Sequence, residues 1–421
     1  MNHDQFFNAV DISITDGVKK GILHLVQNGQ LTTSNEIFIK QQKLYNFTSC
    51  SYIGLEHDPR LKDAAINAIN KFGTQFSESR AYVSIELYQE LEELMSTIFD
   101  CPTIVAPTTT LAHASAIPVL LNVNDAIITD QQLHNSVQSG INIFRANWPV
   151  HFEVLRHNRM DQLEERIQDL QSRFERVWFF GDGIYSMFGD RCPVDDIVGF
   201  LNKYPSFHAY IDDAHAMSIF GERGRGFTLS KREIHPKMIV ASSMAKAFAT
   251  GGGILAFPTK ELARKVRTCG APFNSSGPLQ PATLGAAVAS ARIHLTDVIY
   301  TLQDELMKRI EYACSLFKKT SLPLISNCDS PIFFVGTSKA DLAYELLGRM
   351  MKRGFLVNLA VFPAVSKNNS GIRFTITVLQ TFEQIEKMVA ALNEEYVAAI
   401  KENGYSLDQI KNAFRSIKQF A

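Results

Sequence analysis

The sequence has no excess of charge of either sign: 42 Lys and Arg stand against 43 Asp and Glu, with no long basic run. A global field that recruits nucleic acid or an anionic membrane is thereby excluded. No CxxC pair occurs, and the six cysteines (Cys50, Cys101, Cys192, Cys269, Cys314, Cys328) are scattered without metal-ligand spacing. They read as reduced thiols of a cytoplasmic protein. No apolar run approaches the roughly 18 residues of a membrane span. The first residues, "MNHDQFFNAVDISITDG", lack the basic-then-apolar order of a secretory leader. Internal repeats and low-complexity linkers are absent as well. The eleven histidines include no HExxH, which argues against a metal site. "GERGRG" has the glycines of a dinucleotide fingerprint at the wrong spacing.

What is present is a chain of 421 residues, 46% hydrophobic, enough for one large α/β domain and a smaller one. Apolar positions Ile14, Val18, Ile22 and Val26 predict a helix over 11–28, and further helices are expected at 59–72 and 86–99. The chain then alternates. Short apolar runs, "TIVAP", "AIITD", "VWFFGD", "HAYIDD" and "MIVASS", are separated by helical stretches, the pattern of a mostly parallel sheet covered on both faces. Each run ends in small or polar residues: Thr108 to Thr110, Asp130, Asp182, Asp212, Ser242 and Ser243. Ligands bind beyond the carboxyl ends of such strands, so these endings should converge on one site. After about residue 295, "PIFFVG" and "IRFTITV" alternate as half-buried strands, with helices at 338–353 and 382–400. The terminal stretch "SLDQIKNAFRSIKQF" carries a capping box, Ser406 with Gln409, and an apolar stripe at Leu407, Ile410, Phe414 and Ile417. It reads as a helix docked on its own protein, with a partner-binding helix as the alternative.

Two stretches carry chemistry. "YIDDAHAMSIFGERGRGF" ends an apolar run on Asp212 and Asp213, with His215 following. "VASSMAKAFATGGGILAFP" places Lys246 between a strand end and three glycines, where a lysine can form a Schiff base with a carbonyl. Pyridoxal phosphate requires such a lysine, an aspartate facing its pyridine nitrogen, and hydroxyls and N–H groups for its phosphate. Each requirement has a candidate on a strand end here. His113 and His134 fit that site better than they fit a metal centre.

These motifs, with "NFTSCSYIGLEHDPRLKDAAINAINKFGT", "LEELMSTIFDC", "DQQLHNSVQSG", "DGIYSMFGDRCPVDDI" and "IRFTITV", resemble those of the α-oxoamine synthases over about residues 45–395. That family consists of pyridoxal-phosphate enzymes of fold type I. The resemblance implies a large domain with a mostly parallel seven-stranded sheet between helices and a smaller α+β C-terminal domain. The boundaries expected are an N-terminal helical arm over 1–45, the cofactor domain over 46–295 and the small domain over 296–421.

By the same resemblance Lys246 would carry the cofactor, Asp212 would face its ring nitrogen, and His215 and Ser186 would reach its phenolic oxygen. His134 would stack on its ring. Ser243, Thr109 and Thr110 would bind its phosphate, and Ser275 and Ser276 would reach the phosphate in the neighbouring subunit of a homodimer. Arg373, with Cys50, would hold the carboxylate of an amino-acid substrate, a task suited to the planar guanidinium. The reaction implied is decarboxylative condensation of that amino acid with an acyl thioester, on coenzyme A or acyl carrier protein, to give a 2-aminoketone. A class I/II aminotransferase, or another pyridoxal-phosphate amino-acid enzyme on the same fold, uses the same cofactor residues and is the alternative.

The chain departs from the family pattern at Cys50, where asparagine is usual, and at Ser77-Glu78-Ser79-Arg80, where a glycine-rich turn is usual. Thr108 to Thr110, Tyr88, Ala216 and Leu379-Gln380 are further departures. The cofactor half is intact, and the half that chooses substrates has drifted.

Overall fold

The computed structural model describes residues 3–31, 33 and 35–417. Strands β1 (Glu36–Ile39) and β2 (Gln42–Asn46) open the chain's β-structure. Seven more follow: β3 (Thr103–Ala106), β4 (Asp125–Asp130), β5 (His151–Leu155), β6 (Arg176–Asp182), β7 (Phe207–Asp212), β8 (Met238–Ser243) and β9 (Gly253–Ala256). The C-terminal part holds β10 (Ile332–Ser338), β11 (Phe355–Leu356), β12 (Asn358–Ala360) and β13 (Ser370–Thr375). The chain divides into two compact units: residues 53–186 with 191–303, and residues 1–52 with 187–190 and 304–421.

The first unit is built on a seven-stranded sheet of order β3-β9-β8-β7-β6-β4-β5. Only β9 runs against the rest. Its central strands are apolar along their whole length because both faces are covered. Ile128, Phe179 and Ile211 enter the core on one side. Their neighbours Ile127, Trp178 and Phe180 enter the core on the other. The edge strand β5 is half-buried, and for that reason it gave no apolar run to read. Helices Pro59–Phe72 and Glu86–Phe99 occupy the expected residues. Asp58 caps the first by accepting from the Arg60 N–H, with Pro59 at the opening position.

In the second unit β1, β2 and β11 form one small sheet, and β10, β13 and β12 form another. The N-terminal segment, expected as a separate arm, belongs to this unit because β2 pairs in parallel with β11. Its helix covers His3–Lys19 and not 11–28. The chain closes after Lys19, where the N–H groups of Gly21 and Ile22 bond back to the carbonyls of Val18 and Gly17. Strands β10 and β13 are buried on both faces and not on one. Phe317, Phe333 and Phe374 stack on one side, while Phe188 and Phe414 meet Phe334 on the other.

Phe414 belongs to the terminal stretch. Its helix, Leu407–Ala413, has the predicted capping box and buries Ile410. The docked reading is therefore the one observed; residues 418–420 of that stretch lie outside the described residues. The expectation of six reduced thiols fails at one pair. Cys314, in helix Val298–Phe317, and Cys328, in the segment before β10, are joined as a disulfide with Cα atoms 5.9 Å apart. A separation of 14 residues across a helix end gives no sequence signal of that approach. Cys50, Cys101, Cys192 and Cys269 are free. Among the described residues no helix is long and apolar enough to cross a membrane.

Candidate active site

The carboxyl ends of the parallel strands form one rim. Asp182 and Asp212 are direct partners across β6 and β7, and Ser243 meets Gly253 across β8 and β9. Helix Thr109–Leu120 starts at the same rim, capped by the Thr108 hydroxyl, which accepts from the Leu111 N–H. Its first N–H groups have no partner inside the helix, so this end of the dipole attracts an anion. A Cβ at Gly253 would lie 2.6 Å from Thr109 Cα and 2.7 Å from its nitrogen, so only glycine lets the helix end sit this close to the strand. Ser243 Oγ accepts from the Ala245 N–H at 3.2 Å, leaving its hydrogen to donate elsewhere. Thr109, Thr110 and Ser243 thus offer hydroxyls and N–H groups suited to a phosphate.

Asp212 is almost fully buried. Its Oδ1 accepts from the Ala214 N–H at 3.0 Å, and its Oδ2 lies 3.0 Å from His113 Nε2. Burial works to raise its pKa; His113 above all, then Lys246 and His134, overcome that effect and bring it down to about 2. The carboxylate is therefore charged at neutral pH, and Lys246, half-buried after β8, acts on it directly. Asp182 has the opposite fate. Burial first, then the charge of Asp212, pushes its pKa well up, although it accepts from the His134 N–H at 3.2 Å.

His134 caps helix Asn135–Asn147. Its Nδ1 accepts from the Ser136 N–H at 3.3 Å, so the opposite edge of the ring is the one turned outward. One side of the ring is open to solvent, yet enough protein surrounds it to lower its pKa; Asp212 opposes that shift, while Lys246 and His113 add to it. His215 is buried and Ser186 half-buried in the same unit. At the rim's other end Asp130 lies 2.8 Å from His157 Nδ1 and accepts from the Gln132 and Asn158 N–H groups.

Asp213 does a different job from its neighbour. Its Oδ2 accepts from the Thr228 N–H at 2.9 Å and so ties the "GERGRGF" turn to the end of β7. A Cβ on Gly183 would fall 1.9 Å from Asp213 Oδ1, so glycine alone fits beside it. Burial drives its pKa up against the bonds to Thr228, to about 7 from an ordinary 3.8. The folded state therefore holds this proton more tightly than the unfolded chain. Its stabilising contribution is complete below about pH 4 and is lost as pH rises through about 7. Asp213→Asn should flatten the fall of melting temperature between pH 5 and 8; an undiminished slope contradicts the assignment.

Several departures have structural roles. Glu78 is exposed and so is free to face away from a bound anion. Arg80 is turned inward, donating to the Val105 carbonyl at 2.9 Å, pairing with Glu92 at 3.2 Å and lying 3.7 Å from the Tyr88 ring centre. Tyr88 Oη accepts from the Leu279 N–H at 2.6 Å, and Gln380 is buried with its amide bonded to the carbonyls of Asn46 and Thr375. Ser276 donates to the Pro272 carbonyl at 2.6 Å, and Ser275 is exposed.

The second unit brings Arg373 and Cys50 together. Arg373 is buried on β13, between Phe334 of β10 and Asn358 of β12. Tyr52, fully buried, bonds to both Cys50 and Arg373; burial, then Cys50, pushes its hydroxyl well up while Arg373 opposes. Sequence reasoning placed Cys50 and Arg373 and missed Tyr52 between them.

The model of the family described as aminotransferase class I and II matches residues 42–392. The chain belongs to that family. Among its relatives, 8-amino-7-oxononanoate synthase of Alkaliphilus metalliredigens is 28% identical over 360 residues, 84% of this chain and 88% of the relative. Serine palmitoyltransferase of Bacteriovorax stolpii is 27% identical over 372 residues, 85% of this chain and 86% of the relative. In three dimensions, serine palmitoyltransferase from S. paucimobilis matches 95% of this chain with a TM-score of 0.85 and 22% identity; the match spans 99% of that chain. 8-Amino-7-oxononanoate synthase from Francisella tularensis matches 84% of this chain with a TM-score of 0.70 and 22% identity, covering 98% of its own length. The class I and II aminotransferase fold, type I among pyridoxal-phosphate enzymes, is thus the fold expected from the motifs.

Proposed function

We propose that the protein is a pyridoxal-phosphate-dependent acyltransferase that joins an amino acid to an acyl thioester. The products are a 2-aminoketone, carbon dioxide and the free thiol. The observation that carries this reading is the placement of Lys246, a charged buried Asp212 and a phosphate-suited helix end on one rim. The named relatives, 8-amino-7-oxononanoate synthase and serine palmitoyltransferase, support the reaction type.

The residues present fit the cofactor. The first turn of helix Thr109–Leu120, brought close to the strand at Gly253, presents its N–H groups at the rim, with Ser243 beside it. Bound pyridoxal phosphate supplies an electron sink for the pair left at the substrate Cα. Lys246 Nζ holds the cofactor at rest, then takes the proton from Cα and returns it to the product. Asp212 would present its negative charge to the ring nitrogen, His134 would cover the ring, and His215 and Ser186 would serve the phenolic oxygen. Thr109, Thr110 and Ser243 would hold the phosphate, together with Ser275 and Ser276 from the second subunit of a homodimer. Arg373, oriented by Tyr52, receives the substrate carboxylate, with Cys50 beside it.

A guanidinium binds a carboxylate through two parallel N–H groups, which an ammonium cannot match. Arg373→Lys should therefore raise KM for the amino acid by about 10- to 100-fold with a smaller change in kcat. Separate determination of the two constants checks this; an unchanged KM places the carboxylate elsewhere. The reading as a whole is tested by thiol release from a series of acyl thioesters with a panel of amino acids. Thiol released with one amino acid is the expected result. Conversion of the cofactor to pyridoxamine without thiol would indicate an aminotransferase.

A further inference from the structure

Tyr210, His113 and Asp212 form a continuous buried chain of hydrogen bonds. Tyr210 and Asp212 stand two apart on β7, so their side chains leave the same face of the strand, roughly 7 Å apart. The imidazole of His113, from the second turn of helix Thr109–Leu120, spans that gap. Its Nδ1 lies 2.8 Å from Tyr210 Oη and its Nε2 lies 3.0 Å from Asp212 Oδ2. His113 and Tyr210 are completely buried. A charged carboxylate only accepts, so Nε2 carries a hydrogen toward Asp212. Burial, and then the charge of Asp212, pushes the Tyr210 pKa well up and keeps it a hydroxyl.

We infer that His113 is a positioning residue for Asp212, fixing the orientation of the carboxylate that faces the cofactor and holding it in its charged form. The inference rests on the pyridoxal-phosphate reading above. Asp182 serves as an internal contrast. It ends the neighbouring strand in register with Asp212 and is equally buried, but its carboxylate accepts from the His134 backbone N–H, and burial pushes its pKa well up. Lys246 and His134 also act on Asp212, and the carboxyls of Asp182 and Asp213 and the Tyr210 hydroxyl interact with its charge. With Ala214 N–H on Oδ1 and His113 on Oδ2, neither oxygen can rotate away. Tyr210 in turn prevents the imidazole from turning.

The test uses His113→Asn, His113→Gln and Tyr210→Phe. A glutamine amide nitrogen reaches the place of Nε2, whereas an asparagine nitrogen reaches only that of Nδ1. The readouts are the pyridoxal-phosphate dissociation constant of each apo-protein, followed by fluorescence quenching, and the absorbance of the bound cofactor against pH. His113→Asn should weaken binding about tenfold or more and introduce a spectral titration between about pH 5 and 9 that the parent lacks. His113→Gln should return the affinity to within about threefold of the parent. A merely structural histidine would lower the apo-protein melting temperature in both variants and move neither the affinity nor the spectrum. Parent-like affinity and spectrum in the asparagine variant overturn the inference. If that variant does not fold, Tyr210→Phe decides: about threefold weaker binding supports the relay, and unchanged binding and spectrum overturn it. Absence of any Lys246-dependent absorbance in the parent would instead overturn the cofactor reading, a separately recognisable result.

Discussion

Lys246→Ala is expected to lower turnover by at least about 10³-fold, roughly 4 kcal/mol of transition-state stabilisation, and to abolish the yellow absorbance of the holoenzyme. The effect is local. The Lys246 carbonyl accepts from the Ala249 N–H at 2.9 Å, a bond that alanine keeps, and β8 before it is buried along its whole length. The turn should survive, so the apo-protein melting temperature should stay near that of the parent while the chemistry disappears. Absorbance after dialysis and a melting curve check both halves. Colour that persists through dialysis in the variant would assign the covalent hold to another residue.

Asp212→Asn comes next in size. The change preserves shape and the acceptor for the Ala214 N–H but removes a buried charge that His113, Lys246 and His134 all stabilise. A fall of about 10²- to 10³-fold in kcat/KM is expected, because the electron sink loses its counter-charge. The pH dependence has a definite sign. The folded-state pKa is depressed to about 2, below an ordinary 3.8, so the charge is present throughout the neutral range and is lost only as pH falls through about 2. No inflection between pH 5 and 9 in the parent should therefore belong to Asp212. A kcat/KM within twofold of the parent would remove Asp212 from the site.

The rim was legible in the sequence because strand ends are punctuated by chemistry. Buried apolar runs that stop on Asp182, Asp212 and Ser243 mark both the strands and the edge where they meet a ligand. β5 was not legible, since an edge strand with exposed Val154 presents no continuous apolar run. The N-terminal helix was placed too late because Ile22 and Val26 continue the spacing past the point where the backbone closes. His113 was noticed but given no partner: its link to Tyr210 and Asp212 joins residues 97 and 99 positions away, which no local pattern encodes. One signal was available. A histidine one turn into an apolar helix that begins at a phosphate-suited end has to face the strand carrying the aspartate. Tyr52 escaped for a related reason: it lies inside the motif "NFTSCSYIGL", where nothing local shows that its hydroxyl meets both Cys50 and the distant Arg373. The Cys314–Cys328 pair likewise depends on where a helix ends and not on any spacing rule.

The most direct measurement is the stoichiometry of carbon dioxide to thiol, using carboxyl-labelled amino acid and the acyl thioester that gives the fastest thiol release. The account predicts one carbon dioxide for each thiol, with the label lost from a 2-aminoketone product. Label retained in a keto acid, with no thiol and the cofactor left as pyridoxamine, would contradict it.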